Sequence, residues 1–302
     1  MEIRVQKSSK IRNFVSMNYR DIISRLSSRY ESGEAKAVAR LLLEKQCGMS
    51  WTDVLCGGVE HLDEAGAILL EHSLQRLEQG EPVQYVLGEA DFYGRAFHTA
   101  SGVLIPRIET EELIDTVLAS QLPAGPVLDI GTGSGCIAIT LALELAQTVC
   151  GDASVNPVEA WDISDEALHI ARVNAERHGA DVKFIKQDVL SCELPMPDGG
   201  YTAIVSNPPY ICNKERACME THVLDYEPGL ALFVPDDDPL LFYRTITRYA
   251  AKTLRNGGQL FFEINRAYGK ETAQLLEDHG FVDVAVIQDQ FGNDRIVKGQ
   301  RS

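Results

Sequence analysis

The sequence predicts an α/β fold: a mostly parallel, doubly wound sheet closed by one antiparallel strand and preceded by a small helical bundle. Three observations lead there. About the first eighty residues carry helical spacing without strand signals. From Glu109 onward, helix-like and strand-like segments alternate, the signature of parallel strands covered on both faces. The last two strand-like runs, 282–288 and 295–298, are separated only by residues 289–294. That is too short for a crossover helix, so they must pair antiparallel through a hairpin.

Helices are expected at 18–32, 33–47, shortly after Ser50, and 63–79. Ala67, Leu70, Leu74 and Leu77 recur on one helical face. Ser50-Trp51-Thr52-Asp53 has the spacing of a capping box with Asp in place of Glu. Gly57-Gly58 and Gly80-Glu81-Pro82 interrupt the run, which sets a helical domain at 1–82. Residues 83–106, broken by Gly88, Gly94 and Gly102, suit a hairpin-like linker.

The α/β domain then occupies 107–302, with helices at 109–120, 136–147, 165–178, 239–254 and 270–279. Its strands are expected at 127–130, 158–162, 182–185, 201–206 and 259–264, ahead of the closing hairpin. A doubly wound sheet with an antiparallel last strand resembles the seven-stranded, Rossmann-like sheet of S-adenosylmethionine-dependent methyltransferases more than a dehydrogenase domain.

Composition bounds the remaining choices. A chain of 302 residues with 45% hydrophobic content can bury a sizeable core. No stretch approaches the roughly 20 apolar residues of a membrane span, and the polar, basic start has no apolar signal core, so a cytoplasmic protein without membrane contact is expected. The 7 cysteines lack paired C-x-x-C spacing and the 7 histidines form no ligand motif, so neither a disulfide framework nor a metal is expected. Of the net charge of −16, residues 96–302 contribute −14, which disfavours a phosphate-rich acceptor and direct nucleic-acid binding. Residues 1–29 hold seven basic against two acidic side chains, a pattern typical of a solvated face.

Asp129-Ile130-Gly131-Thr132-Gly133-Ser134-Gly135 places a glycine-rich turn between a buried strand and a helix, where backbone can reverse and a ligand can approach closely. The register lacks the G-x-G-x-x-G of a dinucleotide site and favours a cradle for the methionine part of S-adenosylmethionine. A carboxylate at the end of the second strand should accept the ribose hydroxyls. Asp152 lies 21 residues after Gly131 but has loop surroundings; Asp162, 31 residues after it, ends the apolar run from Val158 and is preferred, leaving 148–157 as an inserted loop. Asp188, at the end of the third strand, can accept from the adenine amine, and Val189 can supply a backbone amide and an apolar wall.

Asn207-Pro208-Pro209-Tyr210 follows a strand and falls at the carboxyl edge, beside the glycine turn. An amide or exocyclic aromatic nitrogen is a poor nucleophile because its lone pair is delocalised. Acceptors that bind its two protons orient that lone pair and favour charge build-up in the transition state. The Asn207 side-chain oxygen and the Pro208 carbonyl can do this, the prolines stiffen the backbone, and Tyr210 can stack on the acceptor plane. The same four residues suit an adenine amine.

Taken together, Gly80-Glu81-Pro82-Val83-Gln84-Tyr85, Arg107-Ile108-Glu109-Thr110, Asn207-Pro208-Pro209-Tyr210-Ile211, Tyr226-Glu227-Pro228 and Glu263-Ile264-Asn265 resemble the release-factor glutamine methyltransferases, over nearly the whole chain. The resemblance implies transfer of a methyl group from S-adenosyl-L-methionine, leaving S-adenosyl-L-homocysteine, to the amide of the glutamine in the Gly-Gly-Gln tripeptide of peptide chain release factors. It also implies that the helical domain helps hold the release factor. An N6-adenine amino-methyltransferase of DNA or RNA is the alternative. Ile108 and Asn265 stand where that family usually has Pro and Gly. Gly257-Gly258-Gln259 within this chain reads as a turn before a strand.

Overall fold

The computed structural model describes residues 17–148, 156–191 and 193–302. Asp152, most of the expected 148–157 loop and much of the basic N-terminal run lie outside the described residues. The chain forms two compact units, Met1–Glu89 with Thr221–Tyr226, and Ala90–Glu220 with Glu227–Ser302.

The first unit is helical: Tyr19–Leu26, Ser32–Cys47, Trp51–Leu55, Glu64–Glu78, Val83–Leu87 and Thr221–Tyr226. Capping sets its helix starts. The Ser50 hydroxyl oxygen accepts from the Asp53 amide and the Asp53 carboxylate accepts from the Ser50 amide, the reciprocal box expected there; Asn18 and Asp21 do the same. The first helix stops at Leu26, short of the expected Ser32; beyond it the Ser28 and Arg29 amides close turns onto the carbonyls of Arg25 and Leu26, and the Ser27 and Ser28 hydroxyls donate to those of Ile23 and Arg25. Leu70, Leu74 and Leu77 pack with Ile22, Leu26 and Leu42 in its core. Residues 83–87 are helical where extended structure is expected. Pro82 precedes the turn, Gly88 ends it at φ +74°, and Tyr85 and Val86 are buried.

The hairpin of β1 (Glu89–Phe92) and β2 (Arg95–His98), which from Ala90 onward belongs to the second unit, is turned by Tyr93 and Gly94 at φ +49° and +70°. Strands β3 (Val127–Ile130), β4 (Val158–Asp162), β5 (Val182–Lys186) and β6 (Tyr201–Ser206) follow. A two-stranded parallel pair, β7 (Ile211–Cys212) and β8 (Phe233–Val234), then precedes β9 (Leu254–Glu263), β10 (Phe281–Gln288) and β11 (Asp294–Arg301). The main sheet has seven strands in the order β10-β11-β9-β6-β3-β4-β5, parallel except for β11, which runs antiparallel between β9 and β10.

Alternate residues feed the two faces. Val127, Ala203, Val205 and Phe261 pack on one side; Leu128, Ile204, Leu260 and Phe262 pack on the other. All six residues of β6 are buried. β9 begins at Leu254, earlier than expected, and bulges between its pairings with Tyr201 and Ala203. Gly257 sits there at φ +79°, and a Cβ on Gly258 would meet the Tyr201 carbonyl at 3.0 Å. The Gly-Gly pair therefore has a backbone reason of its own. No helix among the described residues is long and apolar enough to cross a membrane.

Candidate active site

Parallel strands bring their carboxyl ends to one edge, and the pairings Ile130 with Trp161 and Ile130 with Ser206 set the following residues side by side. Gly131, Asp162 and Asn207 therefore converge. A cavity of about 350 Å³ opens between them, within the size range of small-ligand pockets. Gly133, Asp188, Val189, Pro208 and Pro209 also line it. So do Val103 and Leu104 from the upstream segment and Leu230, Phe242 and Ile246 from later elements, to which no role was assigned from sequence. Asp129, Thr132, Ser134, Gly135 and Tyr210 are not on its wall; the first three are buried.

The glycine turn adopts left-handed backbone at Gly131, Gly133 and Gly135, with φ of +78°, +56° and +83°. A Cβ at Gly131 would meet nothing nearer than the Asn207 carbonyl at 4.0 Å, so the backbone is open to a ligand there. Gly135 serves packing instead: its Cβ would lie 2.9 Å from Ile139 and 3.0 Å from Ala171. Gly135→Ala is expected to cost about 2–3 kcal/mol, lowering the thermal midpoint by on the order of 5–10 °C, as read by differential scanning calorimetry. The buried Asn174 amide ties the turn to the β2 end by donating to the Ser134 and His98 carbonyls, both at 2.9 Å.

The acids differ in their surroundings. Asp162 accepts from the Ser164 amide at 2.9 Å through Oδ1 and from the Gly133 amide at 2.8 Å through Oδ2. Burial pushes its carboxyl up from the usual range, while the amides of Ser164, Gly133 and Ile163 oppose this. Each oxygen keeps lone-pair capacity towards the cavity, which suits a pair of ribose hydroxyls. Asp188 is oriented by the Leu190 amide, 2.8 Å from its Oδ1. Asp129 is wholly buried, and burial pushes it up to about 7; the Thr132 hydroxyl and the Ala138 amide, short of hydrogen-bonding geometry, offset this only in part. Both Asp129 oxygens and Thr132 Oγ1 lack a protein hydrogen-bond partner. These orphaned acceptors sit in sequence beside the glycine turn, whose open Gly131 backbone does line the cavity, and donors or positive charge on the amino acid part of S-adenosylmethionine would suit them.

The acceptor loop is braced from sequence-distant segments. Asn207 Nδ2 donates to Thr110 Oγ1 at 3.2 Å, and the Thr110 hydroxyl donates to Glu263 Oε2 at 2.6 Å. The Tyr210 hydroxyl donates to the other Glu263 oxygen at 3.1 Å. Tyr210 thus packs against the core with its hydroxyl tied to Glu263. Burial and Glu263 hold its phenol above the usual range, so it stays a donor.

Asn265 donates to the Tyr210 carbonyl at 3.2 Å and accepts from the Ala267 amide at 3.0 Å. The Asn at this position therefore adds a side-chain brace, and its φ of −64° does not require Gly. Ile108 starts the 3-10 turn Ile108–Thr110 and is 74% exposed, so its departure leaves the core untouched. Arg107 pairs at 2.6 Å with Glu227, whose side chain is fully buried and also accepts from the Ile105 amide at 3.3 Å. Sequence reasoning assigned no role to Thr110, Glu227 or Glu263. The available signal was an acid inside an apolar strand, Leu260-Phe261-Phe262-Glu263-Ile264, since a carboxylate buried there needs partners.

Comparison with known proteins extends this picture. A family model described as "Methyltransferase small domain" matches residues 99–224, and one described as "PrmC N-terminal domain" matches residues 19–88. The chain is 46% identical over 276 residues to the release factor glutamine methyltransferase of Bacteroides thetaiotaomicron, covering 91% of this chain and 96% of that one. It is 40% identical over 287 residues to that of Flavobacterium psychrophilum, covering 93% and 97%. Among solved structures, a protein-(glutamine-N5) methyltransferase (release factor-specific) from Alicyclobacillus acidocaldarius is 27% identical with a TM-score of 0.38, covering 66% of this chain and 94% of that one.

Proposed function

The chain belongs to the release factor glutamine methyltransferase family and is an S-adenosylmethionine-dependent methyltransferase, and we propose that its acceptor is the side-chain amide nitrogen of the glutamine in the Gly-Gly-Gln tripeptide of peptide chain release factors. The observation that carries this reading is the likeness of nearly the whole chain to release factor glutamine methyltransferases, supported by one cavity where the glycine turn, Asp162 and the Asn207-Pro208 pair meet.

S-adenosylmethionine supplies an electrophilic methyl group when bound. The chain's residues do the rest. The backbone of Gly131 and Gly133 and the carboxylates of Asp162 and Asp188 hold and orient the cofactor, with Val189 as an apolar wall. Asn207 Oδ1 and the Pro208 carbonyl accept the two protons of the glutamine carboxamide and set its lone pair towards the methyl. Val103, Leu104 and Phe242 give the cavity apolar walls that exclude water and strengthen these hydrogen bonds. The helical unit is assigned to holding the release factor body.

The test is incubation with labelled S-adenosylmethionine and a purified release factor, followed by mass spectrometry. The label is expected on the tripeptide glutamine. Label on another residue overturns the reading, as does transfer to DNA or RNA with a steep loss on adding salt.

A further inference from the structure

We propose that Thr110 and Glu263 are positioning residues that dictate which atom of the Asn207 carboxamide faces the acceptor, an inference that rests on the function proposed above. The argument is one of hydrogen-bond direction. Glu263, at the end of β9, is 1% exposed; burial pushes its carboxyl up, while the Thr110 and Tyr210 hydroxyls and the Arg295 charge oppose this, and with a hydroxyl on each oxygen the ionised carboxylate can only accept. Its Oε2 lies 2.6 Å from Thr110 Oγ1, the spacing of a hydroxyl donating to a carboxylate.

A threonine hydroxyl has one proton. Once it is committed to Glu263, the Thr110 oxygen can only accept, and the Asn207 atom 3.2 Å away must be the NH2 group. Oδ1 is then the carboxamide atom left for the cavity that Asn207 lines. The two amide orientations have nearly the same shape, so packing alone cannot select between them. In the wrong one, Asn207 would present N–H groups to the acceptor's own N–H groups. Glu263 secures both ends of the tetrapeptide at once, because its Oε1 receives the Tyr210 hydroxyl at 3.1 Å. A single buried carboxylate thus fixes the direction of the whole network.

Three forms of the protein, wild type, Thr110→Val and Thr110→Ser, test the idea with a release factor as acceptor. Thr110→Val keeps the shape but removes the hydroxyl. It is expected to lower kcat on the order of 10–100-fold, with KM for the release factor and S-adenosylmethionine affinity by calorimetry each within about twofold of wild type. Thr110→Ser restores the hydroxyl and should recover kcat to within about threefold. If Thr110→Val keeps more than half of the wild-type kcat, or its loss tracks weakened cofactor binding that Ser does not rescue, the inference is overturned.

Neutron diffraction of the wild-type protein gives a readout independent of turnover and of any variant's folding. The Thr110 deuteron should point at Glu263; a deuteron pointing at Asn207 sinks the proposal. Failure of the wild type to methylate any release factor would instead sink the acceptor assignment, and the deuteron position would still decide the direction of the network.

Discussion

Asn207→Ala should lower methyl transfer to a release factor by about three orders of magnitude while S-adenosylmethionine binds within about threefold of its wild-type affinity. The substitution removes the side-chain oxygen that accepts one acceptor proton, and the remaining acceptor, the Pro208 carbonyl, cannot fix the carboxamide plane alone. It also leaves Thr110 Oγ1 without the donor it faces at 3.2 Å, although that oxygen still donates to Glu263, so the cost to folding is small. The cofactor's contacts through Gly131, Gly133 and Asp162 do not pass through Asn207. Single-turnover rates at saturating cofactor, with calorimetry on the same preparation, separate the two effects. A variant that methylates at more than a tenth of the wild-type rate would remove Asn207 from the acceptor site.

Much of this site was legible in the sequence because its parts are local. Gly131 and Asn207 follow, and Asp162 ends, a strand whose apolar run marks where the carboxyl edge must be, and neighbours on a parallel sheet meet there without further information. The long elements were legible for a related reason: four or more apolar residues at the right period outweigh local detail, as in fully buried β6. Short elements were not. Val83–Leu87 is barely more than one helical turn, and its Pro82 and Gly88 boundaries serve equally as strand breakers in a sequence. Strands β7 and β8 have two residues each, too few to carry any period.

What stayed hidden in the site is non-local. Thr110 and Glu263 are 153 residues apart, and Tyr210 and Glu263 are 53 apart. No spacing rule joins them. The anchoring of Tyr210 depends on the partner of its hydroxyl, Glu263, which no local pattern around Tyr210 predicts. The same holds for Asn265, whose brace on the Tyr210 carbonyl exists only once the β9 end is folded beside the acceptor loop.

Asp162→Ala should weaken S-adenosylmethionine binding by at least a hundredfold. Hydrogen bonds to a charged group contribute about 1.5–3 kcal/mol each, and two ribose hydroxyls would lose theirs. A second effect acts through the protein. The same carboxylate holds the Gly133 amide at 2.8 Å and the Ser164 amide at 2.9 Å, so its removal frees the glycine turn that should cradle the rest of the cofactor. Asn at this position is no remedy, because one of the two backbone N–H groups would face its NH2. The two roles can be told apart. If Asp162 serves only to order the turn and the start of the following helix, Asp162→Ala lowers the thermal midpoint while affinities for S-adenosylmethionine and for its 2′,3′-dideoxy analogue fall equally. If it binds the ribose, the wild type discriminates strongly between the two ligands and the variant does not. Equal discrimination in wild type and variant would move the ribose contact elsewhere on the cavity wall.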